Sequence, residues 1–259
     1  MAVFIRWTFC LYVVTLINPI TSYARELDEP PKKTLDGYLG AGVMYLPKYV
    51  GSADQVARPV PLVMLEYDET VYLQLDRVGL RLWHNDENKI AVGIAAQPRF
   101  GFHAHDGTAL TGMSTRRDSI EGGAVFEWEL PLLSFNIAYF TDWSHTSGGP
   151  SLKLTLERQL IDKGPWDISA YINLDYASTK VTQYYFGVPA NESTATRPSY
   201  QPGAALISTL GFSGAYKLNK SYAVLFGSEL TSLGASAAAS PIVQRRTGLM
   251  GYFGLGMVF

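Results

Sequence analysis

Residues 166–176 read WDISAYINLDY, and apolar and polar residues alternate along this stretch. The even-numbered residues are apolar or aromatic, and the odd-numbered residues are mostly polar. A period of two is typical of a β-strand with one apolar face, and the helical period does not fit. Strands in soluble domains are usually about 5–6 residues long, whereas a tilted strand needs about 9–11 residues to cross a bilayer. The stretch therefore favours a membrane-spanning strand.

The same alternation recurs along the rest of the chain. We predict strands over residues 37–46, 58–67, 70–83, 89–102, 119–130, 132–143, 151–160, 166–177, 203–216, 221–231 and 247–259. Because backbone polar groups in lipid must be paired internally, such strands can span a membrane only as a closed barrel. Aromatic residues near the strand ends fit the interfacial girdles of such a barrel: Tyr45, Tyr67, Phe100, Phe102, Trp128, Trp143, Trp166, Tyr176, Tyr216 and Tyr222. The predicted fold is an all-β, closed, antiparallel transmembrane β-barrel.

The strand count depends on residues 70–83. Eleven segments are recognisable, but single-chain bacterial barrels have even strand numbers. In residues 70–83 the apolar face is first odd-numbered and then even-numbered, so Asp76-Arg77 must contain a bulge or a tight turn. A turn gives about twelve strands, and ten is the alternative. Long connections then lie outside the cell, and short turns and both termini lie in the periplasm.

The composition excludes several other classes of protein. Hydrophobic residues make up 47% and charged residues 17% of the 259-residue chain, against about 25% charged in ordinary domains. This balance excludes disorder. Past residue 20 no apolar run is long enough for a transmembrane helix. The net charge of −2 and the pI near 6.1 argue against nucleic acid as a partner.

The N-terminus carries an export signal. Residues 1–24 have a weakly positive start, a short apolar core and a small-residue cleavage site, as in a signal peptide. Residues 25–36 are polar and proline-containing, which predicts a flexible periplasmic lead-in, and the barrel follows over residues 37–259. The only cysteine, Cys10, lies in the signal. The expected location is the bacterial outer membrane, with its lipid around the barrel.

The last strand carries a second signal. Phe253, Leu255, Met257 and the terminal Phe259 alternate with smaller residues. This pattern resembles the signal by which the barrel-assembly machinery recognises outer-membrane barrels. We therefore expect that machinery to be a partner through this strand.

Motifs along most of the mature chain resemble the MltA-interacting protein/OmpV family of outer-membrane proteins. Residues 40–52 (GAGVMYLPKYVGS) and 58–62 (RPVPL) are similar to its opening motifs. Residues 185–188, 200–204 and 240–243 resemble its later loops, whereas the loop over 103–118 departs from the family pattern.

The resemblance implies a non-enzymatic barrel with one of two roles. One is a scaffold that links a periplasmic lytic transglycosylase to a murein-synthesising penicillin-binding protein. The alternative is a small porin that responds to osmolarity.

The inward faces of the predicted strands carry more acids than bases. The bases are Arg81, Arg99, Lys153 and Lys217. The acidic candidates for the lumen are Asp76, Glu121, Glu127, Glu129, Asp142, Glu157, Asp167, Asp175 and Glu229. In a water-filled lumen this excess would favour cations. In a packed interior the same groups would pair with one another and close the pore.

Patterns that suggest catalysis or metal binding are weak. His103 and His105 with Asp106 could bind a metal weakly, but a polar loop explains them better. Ser144 and His145 follow Asp142, yet a triad requires spatial geometry rather than adjacency. We expect no catalytic, cofactor-binding or metal-binding residue. An outer-membrane enzyme is the third and weakest alternative.

Overall fold

The computed structural model describes residues 34–259. The predicted signal peptide and residues 25–33 of the predicted lead-in lie outside the described residues. Strand β1 begins at Leu35, two residues before the predicted start of the barrel. The twelve strands are β1 (Leu35–Pro47), β2 (Gln55–Tyr67), β3 (Val71–Gln74), β4 (Arg77–Asn85), β5 (Ile90–Arg99), β6 (Ser119–Glu129), β7 (Ser134–Asp142), β8 (Ser151–Lys163), β9 (Trp166–Ala177), β10 (Ala205–Lys217), β11 (Tyr222–Ser232) and β12 (Thr247–Val258).

The strands form one closed antiparallel barrel in which each strand pairs with its neighbours in sequence. Strand β1 closes the barrel against β12, with Tyr38 opposite Val258 and Tyr45 opposite Gly251. The prediction of a closed barrel of twelve strands is confirmed. Residues 70–83 contain a tight turn, as predicted for a barrel of twelve strands rather than ten. The turn is formed by Leu75-Asp76 and not by Asp76-Arg77, because Gln74 already pairs with Arg77.

Apolar side chains cover the outside of the barrel because each strand alternates. On β12, Phe253, Leu255 and Met257 are exposed, whereas Tyr252 is buried on the inward face. Most of the predicted girdle residues are exposed: Tyr45, Tyr67, Phe100, Trp128, Trp143, Trp166, Tyr176 and Tyr222. Phe102 is not part of the girdle, because its ring is buried against Tyr49 with the ring centroids 6.0 Å apart.

The two ends of the barrel differ. The turn end carries residues 68–70, 86–89, 130–133, 164–165 and 218–221 together with the C-terminus. The loop end carries residues 48–54, 100–118, 143–150, 178–204 and 233–246. Two helices that the sequence did not predict lie in the last two loops, α1 (Thr179–Phe186) and α2 (Ala235–Ala238). Within residues 34–259 no helix is long and apolar enough to cross a membrane.

Candidate functional site: the cap and the lumen

The five connections of the loop end pack together into one layer, which we call the cap. Two apolar clusters hold it. One joins α1 to the ends of the neighbouring strands and to α2: Ala177, Val181, Tyr185, Phe186, Ala205, Leu233 and Ala237. The other joins four different loops: Tyr49, Phe102, Leu110, Met113, Val188 and Ile242. The loop 143–150 joins through Pro150, whose carbonyl accepts a hydrogen bond from the Ser178 N–H.

A buried ion pair ties two of the cap loops together. Arg116 Nη2 lies 2.7 Å from Glu192 Oε2, and both side chains are almost fully buried. Ser114 N–H also donates to Glu192. Burial by itself raises the pKa of Glu192, but the hydrogen bonds from Arg116 and Ser114 outweigh it and hold the pKa below its usual value. Arg197 donates to the carbonyls of Ala109 and Thr111, so the loops 100–118 and 178–204 are joined twice.

Burial also raises the pKa of one cap tyrosine. Tyr185 Oη donates to Ser119 Oγ at the top of β6 over 2.9 Å, which fixes α1 over the mouth of the barrel. Its pKa is raised to about 12, mainly by burial. The side chain therefore stays a neutral hydrogen-bond donor throughout the physiological range, and the cap is not expected to respond to mild alkali.

Replacing Glu192 with glutamine is expected to loosen the cap at neutral pH by about 1–3 kcal/mol, because charge-assisted hydrogen bonds to Arg116 are lost. The folded pKa of Glu192 is lowered, so its stabilisation is present above the unfolded pKa and is lost as pH falls through the folded pKa. Trypsin cleavage after Lys180 at pH 7.5 should be faster in Glu192→Gln. In thermal unfolding, the difference between the two proteins should shrink below about pH 4. Equal cleavage rates would contradict this role, and Glu87→Gln in an exposed turn is the control.

A polar network crosses the lumen below the cap. Arg99 on β5 lies 2.6 Å from Glu121 on β6 and 2.9 Å from Asp175 on β9, measured between the charged N and O atoms. Gln97 donates to Glu121 and accepts from Lys153 of β8 over 2.8 Å. These side chains, with Arg77 at 3.4 Å from Gln97, extend from β4 to β9. We call Arg77, Gln97, Arg99, Glu121, Lys153 and Asp175 the lumen network.

A second ion-pair group lies nearer the turn end. Arg81 on β4 contacts Glu127 on β6 and Glu66 on β2, with N–O distances of 2.5 Å and 2.7 Å. Its guanidinium also stacks over the ring of Tyr72, with the carbon 5.0 Å from the ring centroid. Arg81 therefore joins the inner faces of three strands, β2, β4 and β6, through ion pairs.

The wall formed by β1, β2, β10, β11 and β12 carries an apolar cluster on its inner face. It contains Leu62, Ala215, Ala223, Leu225 and Tyr252, with Tyr38, Met44, Val60, Met64 and Val258 packed against them. We call these residues the apolar wall. The lumen thus has its polar network mainly on the β4–β9 side and an apolar cluster on the opposite side. Near the turn end a cavity of about 160 Å³ lies beside the apolar wall and is lined by Tyr38, Met64, Glu157, Asp167, Ser169, Ser213, Gly214 and Ala215.

The nine predicted lumen acids fall into three groups. Six lie inside and face other polar groups or the cavity, namely Glu121, Glu127, Asp175, Glu229 bonded to Tyr171, Asp167 bonded to Gln159, and Glu157 at the cavity. Asp142 ends β7 and accepts hydrogen bonds from Ser144, Ser147 and Gly148 in its loop. Asp76 is in the tight turn, and Glu129 is exposed at the turn end. Their effect on ion selectivity stays a prediction.

The sequence did not predict the cap residues that join different loops. Arg116, Glu192 and Arg197 bind one another's loops over long sequence separations, and no local pattern marks such partners. Arg77 was placed in a bulge or turn but reaches Phe140 in the lumen, with its guanidinium carbon 5.6 Å from the ring centroid. The apolar spacing of Val181, Tyr184 and Tyr185 is the one signal that could have indicated helix α1.

The two histidines of the loop 100–118 lie next to each other. His103 and His105 stack with ring centroids 5.2 Å apart, and His105 is 82% exposed. Asp106 accepts a hydrogen bond from the His103 backbone N–H, which closes the turn. Within residues 34–259 no group of three or more histidine, cysteine, aspartate or glutamate side chains is placed to hold a metal ion.

A closed barrel with an apolar outer face, aromatic residues near both rims and a polar interior is the architecture of an outer-membrane β-barrel. Residues 39–259 match the family described as MltA-interacting protein MipA. The chain belongs to this family and is an outer-membrane protein.

Two named relatives agree with this assignment. The chain is 35% identical over 85 residues to outer membrane protein Omp26La of Vibrio anguillarum. It is 36% identical over 85 residues to outer membrane protein OmpV of Vibrio cholerae serotype O1. Each alignment spans 33% of this chain and 33% of the relative. A solved structure of a mutant Rh. blastica porin covers 88% of this chain at 10% identity with a TM-score of 0.29, which is too low to inform the fold.

Proposed function

We propose that this protein is a non-enzymatic outer-membrane scaffold whose turn end faces the periplasm and holds murein enzymes. The observation that carries the proposal is the filled lumen: the cap covers one mouth, and the lumen network crosses the barrel beneath it. A barrel closed in this way is better suited to holding partners than to conducting solutes. The family description names an interaction with MltA, which supports a lytic transglycosylase as one partner. A penicillin-binding protein is the second partner that the family resemblance implies.

The turn end offers a surface for such a partner. A cleft of about 420 Å³ is lined there by Glu87, Asn88, Lys89, Trp128, Glu129, Leu130 and Pro131. Leu132, next to the cleft, is 69% exposed and is not part of a membrane-spanning strand. Exposed apolar side chains beside charged ones are typical of a protein-binding surface.

A small cation-preferring porin is the second candidate. It is favoured by the acids Glu157 and Asp167, which line the cavity near the turn end. If it conducts, alanine substitution of Glu127, Glu129 and Asp175 should reduce cation selectivity, because carboxylates raise the local cation concentration. Unchanged reversal potentials would contradict that mechanism.

Planar-bilayer recording and partner capture separate the two functions. We expect the purified barrel to show no discrete conductance steps and to retain a lytic transglycosylase and a penicillin-binding protein from a periplasmic extract. Leu130→Glu with Leu132→Glu should weaken that capture by about tenfold, equivalent to about 1.4 kcal/mol. The matched control is Val50→Glu, which adds a charge at an exposed apolar residue of the loop end. Cation-selective steps without partner capture would favour the porin.

A further inference from the structure

One side of the loop end is basic. The loops 48–54 and 233–246 together contain three bases, Lys48, Arg245 and Arg246, and one acid, Asp54. All three bases are exposed. We call Lys48, Arg245 and Arg246 the basic rim.

The basic rim is assembled where the first and last strands of the barrel meet. The Arg245 N–H donates to Gly51 O over 3.0 Å, which places Arg245 against the loop that Lys48 begins. Pro47, the residue before Lys48, lies beside the start of β12, because a Cβ atom at Gly248 would be 3.2 Å from Pro47 Cγ. The three bases are therefore neighbours in space although they are far apart in sequence.

The two arginines of the basic rim have no acidic partner. Lys48 Nζ lies 3.4 Å from Asp54 Oδ2, and both side chains are exposed. The Arg245 side chain forms no hydrogen bond or ion pair within residues 34–259. Arg246 uses only its Nε, which donates to Leu233 O over 3.0 Å. In the described part of the chain, therefore, the terminal nitrogens of both guanidinium groups are available to bind an anion.

The basic rim lies just above the lipid-facing band of β1 and β12. The exposed aromatic or apolar residues nearest the loop end on these strands are Tyr45 and Leu249, which are 51% and 52% exposed. Lys48 and Arg245 lie about 10–13 Å further along the chain at about 3.3 Å per residue, which is a height of about 7–11 Å at a strand tilt of about 35–45°. The headgroup layer extends about 5–8 Å beyond the hydrocarbon, and the long stem of an arginine lets its head reach that layer.

Phosphate is the anion found at that level. Outer-membrane barrels place their longer loops outside the cell, so the loop end meets the outer leaflet. Lipopolysaccharide, the glycolipid of that leaflet, carries phosphates on its lipid A disaccharide directly above several acyl chains. A guanidinium binds phosphate through two parallel hydrogen bonds, which a lysine cannot do. Two arginines above an exposed apolar strand face therefore match both parts of lipid A.

We propose that the basic rim is a binding site for lipid A of the outer leaflet. Arg245 and Arg246 bind a phosphate, and Lys48 adds positive charge beside it. The acyl chains lie along the outer face of β1 and β12, next to Tyr45 and Leu249. This inference goes beyond the scaffold role and does not depend on it, because it concerns the loop end and the outer leaflet rather than the turn end and the periplasm.

Fluorescence anisotropy of BODIPY-labelled lipopolysaccharide tests the site on the purified protein, expressed from the full chain and kept in zwitterionic detergent. We expect saturable binding that weakens at least about tenfold in Arg245→Gln with Arg246→Gln. The matched control, Lys163→Gln with Lys220→Gln, removes two exposed charges from the turn end and should bind as tightly as the parent. Undiminished binding by the arginine variant, or an equal loss in the control, would overturn the proposal.

Competition tests which part of the lipid is recognised. Unlabelled lipid A with both phosphates should displace the probe, and lipid A without phosphates should compete at least about tenfold more weakly. Phosphatidylglycerol, which has a phosphate but no disaccharide, should also compete more weakly. Equal competition by dephosphorylated lipid A would mean that apolar contacts alone hold the lipid, and equal competition by phosphatidylglycerol would mean that any anionic lipid suffices. Either result overturns the proposal.

Photo-crosslinking in cells tests the position of the bound lipid. p-Benzoylphenylalanine is introduced at Thr247, which is exposed between Arg245 and Leu249, or at Leu218, which is 53% exposed in a turn at the other end. Irradiation should attach lipopolysaccharide at position 247 and not at 218, and the paired arginine substitutions should remove the adduct.

Three outcomes of the crosslinking would overturn the proposal. An adduct at position 247 that survives the arginine substitutions would mean that the crosslinker only samples bulk lipid. An adduct at position 218, or at neither position, would mean that the lipid is not bound at the basic rim. Because all variants are measured on folded barrels selected by heat-modifiability, failure to fold is not read as failure to bind.

Discussion

Replacing Arg99 with alanine is expected to destabilise the barrel by about 3–5 kcal/mol, the largest effect of any lumen substitution. The guanidinium is the shared partner of Glu121 and Asp175, and Glu121 is only 1% exposed. Removing one partner of a buried ion pair leaves an uncompensated charge, which costs about 3–5 kcal/mol. Asp175 Oδ1 is already without a hydrogen-bond partner among the described residues, so it cannot compensate.

Urea unfolding followed by gel heat-modifiability measures this effect. The control is Arg117→Ala, which removes an exposed arginine from the cap and should cost less than about 0.5 kcal/mol. Combining Arg99→Met with Glu121→Gln and Asp175→Asn should recover part of the loss, because the two carboxylates that the arginine neutralised are removed with it. A loss below about 1 kcal/mol in Arg99→Ala would show that water, rather than the arginine, solvates the two carboxylates.

Replacing Gly40 with alanine is expected to prevent closure of the barrel. A Cβ atom at Gly40 would lie 2.0 Å from Leu255 O and 2.5 Å from the Gly256 Cα. Both are backbone atoms of β12, so no side chain can move aside, and β1 and β12 would have to separate. Because an unclosed barrel leaves unpaired edges in lipid, the cost should exceed about 4 kcal/mol, and the heat-modifiable folded form should be largely lost.

The control is the same substitution at another position where β1 and β12 pair. A Cβ atom at Gly251 of β12 would have its nearest neighbour, Gly227 O, at 3.5 Å, which is an ordinary contact. Gly251→Ala should therefore fold to the same extent as the parent protein. Normal folding of Gly40→Ala would contradict the close approach of the two strands at the closure.

The sequence identifies the glycines of β1 as part of a motif, and the strand register explains why they are glycines. From sequence, Gly40 and Gly42 match the opening motif of the family and lack the third glycine of a dinucleotide loop. The structure supplies their role: Gly42 is opposite Gly254 in the register that joins the first and last strands. Register across the closure joins residues more than 200 positions apart, and local periodicity does not specify it.

Alternation of apolar and polar residues determined the architecture of this protein. A period of two over ten or more residues permits only strands, and lipid permits strands only when they close on themselves. The change of apolar face within residues 70–83 even located the extra turn to within one residue, because a strand cannot switch its faces without a break.

Tertiary structure alone decided what fills the barrel and which strand edges have no pairing partner. The cap depends on pairs such as Arg116 and Glu192, and the lumen network joins five strands, so neither leaves a local pattern in the chain. Pro59 and Pro61 of β2 are visible in the sequence, but only the register shows that both direct their backbone nitrogen to the edge away from β1. That edge is set by hydrogen-bond parity across neighbouring strands, which only the folded barrel defines.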